Sequence, residues 1–135
     1  MASWNDQIIE EFRANDGRGG GPFAGTPMLL LTTHGRSSGQ PRTSPVVYST
    51  DGSRYVVAAS NGGSDSHPQW FLNLQADPHT TIEVGDRTLA VHASIASGAE
   101  RNRLYAAHAA MAPGFAAYEE ATTRVIPVVV LEPTP

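Results

Sequence analysis

Between Met28 and Ala59 the chain places three β-type runs too close together to lie parallel. Met28-Leu29-Leu30-Leu31-Thr32-Thr33 is followed by a turn at Gly35 to Pro41, then Thr43 to Ser49, then Asp51-Gly52, then Tyr55 to Ala59. A parallel crossover needs a dozen or more residues, and no gap here is that long, so these runs must pair antiparallel. Asp51-Gly52 between two apolar runs is itself a hairpin signal, because turns of this kind favour positive φ.

The remainder continues the pattern. A helix is predicted at about Pro68 to Ala76, with proline in its first turn, Trp70, Phe71 and Leu74 on its buried face, and Asp77-Pro78 ending it. Thr80 to Val84 and Thr88 to Ile95 flank Gly85-Asp86 as a second hairpin. An alanine-rich helix from about Ala99 to Met111 and a short one near Phe115 to Thr122 lead to a closing strand, Ile126 to Leu131. About six strands with inserted helices predict a mainly β fold, a small Greek-key or split β-barrel.

Upstream, Ser3 with Asp6 forms a capping-box pattern, and Trp4, Ile8 and Phe12 recur every four residues. Residues 1–16 therefore read as a helix packed on the barrel, with a lid over a pocket as the sharper alternative. Gly17 to Gly25 holds five glycines in nine positions plus Pro22 and reads as a linker, leaving 26–135 as the barrel domain.

Composition narrows the chemistry. There is no cysteine, and all nine basic residues are arginine, which removes thiolate and Schiff-base chemistry and any phosphate-loop lysine. A net charge of −4 opposes nucleic-acid binding, which needs a basic face. From Gly17 to Tyr48, however, the chain has no acid and carries Arg18, Arg36 and Arg42, so this segment suits a small anionic ligand. The acids Asp6, Glu10 and Glu11 contradict a secretory signal, and the apolar stretches at Met28 to Leu31 and Val128 to Leu131 are too short to span a bilayer. The expectation is a cytoplasmic protein without an integral membrane segment.

Gly35-Arg36-Ser37-Ser38-Gly39 fits the G-x-S-x-G nucleophile elbow, but an elbow needs a helix directly after its serine, and Pro41 and Pro45 straddle a β-type run instead. The same turn reads equally as an anion nest flanked by Arg36 and Arg42, or as a polar hairpin with two solvated arginines. His34, His67, His79, His92 and His108 show no metal-ligand spacing and read as scattered surface or turn residues, so no metal is expected. Ser60-Asn61-Gly62-Gly63 is either a plain loop or a close approach of backbone to a flat ligand.

Taken together, the run Leu30 to Arg42, then Pro45, Ala58-Ala59-Ser60-Asn61-Gly62-Gly63, Pro68-x-Trp70, Asn73-Leu74-x-Ala76-x-Pro78 and Ile126-Pro127-Val128-Val129-Val130 closely resembles the deazaflavin-dependent nitroreductase family. The resemblance covers about residues 26 to 133. It implies a split β-barrel of the flavin-reductase, FMN-binding type that takes coenzyme F420, whose tail bears a phosphate and glutamates. By the same resemblance Thr32 binds the cofactor, and the turn Arg36, Ser37, Ser38, Gly39, Gln40, Pro41 and Arg42 holds its phosphate end. Ala58, Ala59, Ser60 and Asn61 contact the deazaflavin ring, and the helix carrying Trp70 and Asn73 closes over the cofactor. The family commonly has lysine at the positions of Ser37 and Asn61, and both are lost here.

The implied activity is hydride transfer from reduced F420 to a quinone, enone or nitroaromatic acceptor. Phe115 and Tyr118 are its expected substrate pocket, with Ser60 hydrogen-bonding near the reacting ring edge and Tyr48 or Tyr118 delivering the proton. Two other readings stand beside it: a non-catalytic carrier of F420 or a lipid-like ligand, and a split barrel using FMN. Split barrels often dimerise, so a homodimer is compatible with the chain, although no interface signature is evident.

Overall fold

A computed structural model of the protein describes residues 4–14, 27–60, 66–85 and 87–134. Helix α1 (Trp4–Ala14) precedes strands β1 (Met28–His34), β2 (Pro41–Val47), β3 (Ser49–Asp51) and β4 (Arg54–Ala58). Helix α2 (Gln69–Ala76), strands β5 (His79–Val84) and β6 (Arg87–Ala96), helices α3 (Gly98–Met111) and α4 (Gly114–Ala121), and strand β7 (Val128–Pro133) follow. The linker read at Gly17 to Gly25 lies outside the described residues.

The seven strands among the described residues form one antiparallel sheet in the order β2-β1-β5-β6-β7-β4-β3. The two edge strands, β2 and β3, are consecutive in sequence and separated only by Tyr48. A sheet whose opposite edges meet through one residue has to roll up, and this makes it a half-open barrel. The run expected as one strand from Thr43 to Ser49 is thus two, which raises the count from six to seven. At the break the Tyr48 N–H donates to Pro27 O at 3.2 Å, outside either ladder.

The first hairpin also sits one residue later than expected. Asp51 pairs with Arg54, so its turn residues are Gly52 and Ser53, with Gly52 at φ +63°. The second turns after Val84, which pairs with Arg87, and Gly85 there has φ +59°.

The apolar runs are continuous because the sheet is covered on both faces. Leu29, Leu31, Val57, Ala59, Ile82, Val91, Val129 and Leu131 point inward onto Trp70, Phe71 and Leu74 of α2. Their neighbours point outward: Met28 and Leu30 onto Ile8 and Phe12 of α1, and Val56, Ala58, Val128 and Val130 onto Leu104, Tyr105 and Phe115 of α3 and α4. Helix α2 thereby plugs the barrel. Among the described residues no helix is long and apolar enough to cross a membrane.

Candidate active site

Edge strand β2 and the first turns of α2 face each other across a trough made of two joined cavities. One, of about 820 Å3, is bounded by Ser44 to Val47, Ala58, Ser60, His67, Trp70, Phe115 and Tyr118. The other, of about 840 Å3, is bounded by Ile9 and Arg13 of α1, the Gly35 to Ser38 turn, Pro41 to Thr43, and Asn73. They share Ser44, Gln69 and Trp70, so β2 runs the length of the trough and Trp70 stands at its waist. Helix α1 is therefore both a packing element and a wall of the second cavity.

The second cavity is electropositive. Its described lining carries Arg13, Arg36 and Arg42 and no carboxylate. Arg13 is committed to Glu83, with Nε and Nη2 donating at 3.1 and 2.8 Å. Arg36 instead lies on α2: Nη1 donates to Asn73 Oδ1 at 2.9 Å and Nη2 to Gln69 Oε1 at 2.8 Å. Both acceptors are neutral amides, so the charge of Arg36 is placed without being cancelled. Arg42, opposite Thr33 in the β1–β2 register, is exposed and has no carboxylate partner among the described residues.

The nest reading of this turn needs correcting. The Gly35 N–H donates to Gln40 O at 2.8 Å and the Gly39 N–H to Gly35 O at 2.7 Å. The Arg36 N–H goes to Asn73 Oδ1 at 3.2 Å and the Gln40 N–H to Ser38 Oγ at 3.2 Å. With three of these N–H groups engaged inside the turn and the fourth on α2, gripping an anion falls to the guanidinium groups and the serines. Gly39, at φ +71°, closes the turn, and the chain then enters β2. No helix follows Ser37, which agrees with setting the nucleophile elbow aside.

The trough brings together Arg36, Ser37, Ser38, Pro41, Arg42, Ala58, Ser60, Trp70, Asn73, Phe115 and Tyr118. It does not take in every residue singled out from sequence. Ala59 faces the barrel interior at 0% exposure, as strand alternation between Ala58 and Ser60 requires. The Thr32 hydroxyl pairs with Thr43 Oγ1 at 2.9 Å. Gly39 and Gln40 shape the turn without lining the cavity. Tyr48 packs edge-on against Tyr55 and lines neither cavity, and burial, with the Tyr55 hydroxyl beside it, raises its pKa. Asn61 lies outside the described residues.

Two participants escaped the sequence. Arg124, ahead of β7, donates through Nη2 to Ala59 O at 3.0 Å and Ser60 O at 2.8 Å, and its Nη1 lies 3.1 Å from His67 Nδ1. It ties the end of β4 to the segment entering α2. The reading of all five histidines as surface or turn residues fails for His108, which is fully buried behind Phe115, while His67, half-buried ahead of α2, lines the first cavity. The pattern Pro68-x-Trp70 marked the position next to His67, but nothing local marked Arg124.

A rolled antiparallel sheet with a helix-plugged interior and a cationic trough beside its edge defines a split-barrel protein whose site suits an anionic ligand. Comparison with known proteins places it further. The profile of the F420H(2)-dependent quinone reductase family matches residues 4–133, and the chain belongs to that family. It is thus an F420-dependent oxidoreductase. An F420H(2)-dependent quinone reductase of Mycobacterium tuberculosis is 37% identical over 124 residues, 89% of this chain and 83% of that protein. A solved F420-H2 dependent reductase superposes with a TM-score of 0.73 at 34% identity, covering 78% of this chain and 94% of its own. A second solved structure, a domain-swapped dimer, covers 96% of this chain and 100% of its own, with a TM-score of 0.74 at 30% identity.

Proposed function

We propose that the trough holds F420 with its phosphate and glutamate tail along Arg36 and Arg42 and its ring in the cavity of Ala58, Ser60 and Trp70, and that the acceptor is a quinone entering beside Tyr118. The observation that carries this reading is the charge of the tail cavity: Arg36 and Arg42 have no carboxylate partner among the described residues and no acid is in its described lining, in a chain of net charge −4. Two cavities meeting at Trp70 also match a ligand made of two unlike parts.

Bound and reduced, F420 supplies a hydride from its ring. The chain's own part is to orient and exclude water. Trp70 divides ring from tail, Ser60 offers its hydroxyl to the ring edge, and Phe115 and Tyr118, 5.3 Å apart edge-to-face, wall the acceptor side. Of the two tyrosines considered for the proton, Tyr118 alone faces this cavity. We place the reaction in the cytoplasm, and a homodimer is compatible with it, since one solved relative is a domain-swapped dimer.

Fluorescence titration with F420 and FMN in competition tests the assignment. F420 should bind at low ionic strength and weaken with salt, and reduced F420 should be oxidised when a soluble quinone is added. Preference for FMN, or F420 binding without oxidation by any quinone, enone or nitroarene, overturns it in favour of an FMN protein or a carrier.

A further inference from the structure

We propose that His67 is a catalytic hydrogen-bond donor to the hydride acceptor, working as a neutral imidazole with its proton on Nε2, and that Arg124 is the positioning residue that fixes this tautomer. The inference rests on the functional reading above and names a residue that reading does not use.

The tautomer follows from donor chemistry. A guanidinium has five N–H donors and no acceptor, so at the 3.1 Å contact Arg124 Nη1 must donate and His67 Nδ1 must accept. An accepting Nδ1 carries no hydrogen, and the ring proton therefore sits on Nε2. No group among the described residues accepts from that Nε2–H, and the atom is not one of the buried orphans. The ring plane is set as well, because the imidazole rests on Phe71 with centroids 4.9 Å apart. Since the same guanidinium holds the carbonyls of Ala59 and Ser60, the donor is anchored to the strand end that faces the deazaflavin ring.

Position indicates what the donor meets. His67 bounds the ring cavity and also a third cavity, of about 560 Å3, walled by Phe71, Ile95, Val125 and Pro127. That third cavity shares no residue with the tail cavity, and His67 and Tyr118 both line the ring cavity, so an acceptor entering beside Tyr118 meets His67 without crossing the cofactor's tail. A quinone arriving there takes a hydride, two electrons and one proton, and negative charge grows on its carbonyl oxygen. A fixed N–H aimed at that oxygen stabilises the charge most when it is fully developed. A neutral imidazole keeps its own proton, so the second proton of the hydroquinone comes through Tyr118, which lines the same cavity.

Two experiments test the proposal. In [15N]histidine-labelled protein without cofactor, the His67 signal, assigned by its loss in His67→Gln, should show a bare Nδ1 and a protonated Nε2. Arg124→Met should turn it into a tautomer mixture. A proton on Nδ1 in the unaltered protein overturns the proposal. In steady-state assays with reduced F420 and a soluble quinone, His67→Leu should lower kcat about a hundredfold, the usual effect of removing one such donor, with F420 affinity unchanged. His67→Gln, which keeps an N–H at a similar reach, should stay within about tenfold of the unaltered enzyme. Turnover by His67→Leu equal to that of the unaltered protein overturns the proposal, and if that variant does not fold, a hundredfold loss in His67→Gln does so instead. Absence of F420 binding by the unaltered protein overturns the functional reading beneath it, and is recognised before any variant is made.

Discussion

Asn73 Oδ1 accepts two hydrogen bonds from a single residue, Arg36: one from its backbone N–H at 3.2 Å and one from Nη1 at 2.9 Å. Asn73 is buried, and its Nδ2 donates to Thr33 Oγ1 at 3.2 Å, so both ends of the amide are engaged by the protein. In the proposed binding mode its part is to hold the Arg36 cation in place. Asn73→Ala should cost about 1–3 kcal/mol of stability in chemical denaturation, because it strands buried polar groups, and should weaken F420 binding by about tenfold. Asn73→Asp should weaken binding further, since it sets a carboxylate against both Arg36 and the anionic tail. Unchanged F420 affinity in both variants would sink the assignment of the tail cavity.

Arg42 differs from Arg36 in lacking an anchor, and its contribution should depend on salt. Arg42→Ala should lose severalfold in F420 affinity at about 50 mM salt and little at about 500 mM, where the screening length falls to a few ångströms. Ser37→Lys restores a cation on the same turn and should move affinity the other way, by a similar factor at low salt. Fluorescence titration of the three proteins at the two ionic strengths checks both signs together.

Ser60 faces the ring cavity while its carbonyl is held by Arg124, so its hydroxyl can be removed without releasing the strand end. Ser60→Ala should lower kcat by about tenfold and change F420 affinity by less than about threefold. A loss confined to affinity would make Ser60 a binding residue only.

What the sequence disclosed follows the range of the interactions involved. Strand period, the two hairpin glycines and the Pro68 helix start are local, and their elements lie within a residue or two of the positions read from the chain. The seventh strand was hidden because Tyr48 interrupts a β-type run without any turn residue, and only closure of the sheet edges makes that break necessary. Arg36, Arg42, Ser60 and Trp70 were legible as a resemblance in series. Arg124 was not, since its partners at Ala59, Ser60 and His67 lie 57 to 65 residues away. The side chain of Ala59 turns away from the trough, because a strand alternates across its sheet while resemblance runs along the chain.

The imidazole of His108 offers the sharpest pH prediction. At 0% exposure its Nδ1 lies 2.8 Å from Ser49 Oγ, its ring meets Phe115 edge-on with centroids 4.4 Å apart, and Nε2 is buried with no partner among the described residues. Burial favours the neutral ring and lowers its pKa to about 4, from 6.5 in the unfolded chain. Above about 6.5 neither state binds the proton and stability does not depend on this group. As the pH falls from about 6.5 toward about 4 only the unfolded chain takes it up, and stability declines by up to about 3 kcal/mol. His108→Leu should lower stability at pH 7.5 by a fixed amount, since Ser49 loses its partner, and should remove this part of the acid slope. Urea denaturation of both proteins at several pH values between 4 and 7.5 measures the difference, in which the carboxylates common to both cancel. Parallel stability curves would mean that His108 takes up its proton at the same pH in the fold as in the unfolded chain, and that burial does not hold it neutral.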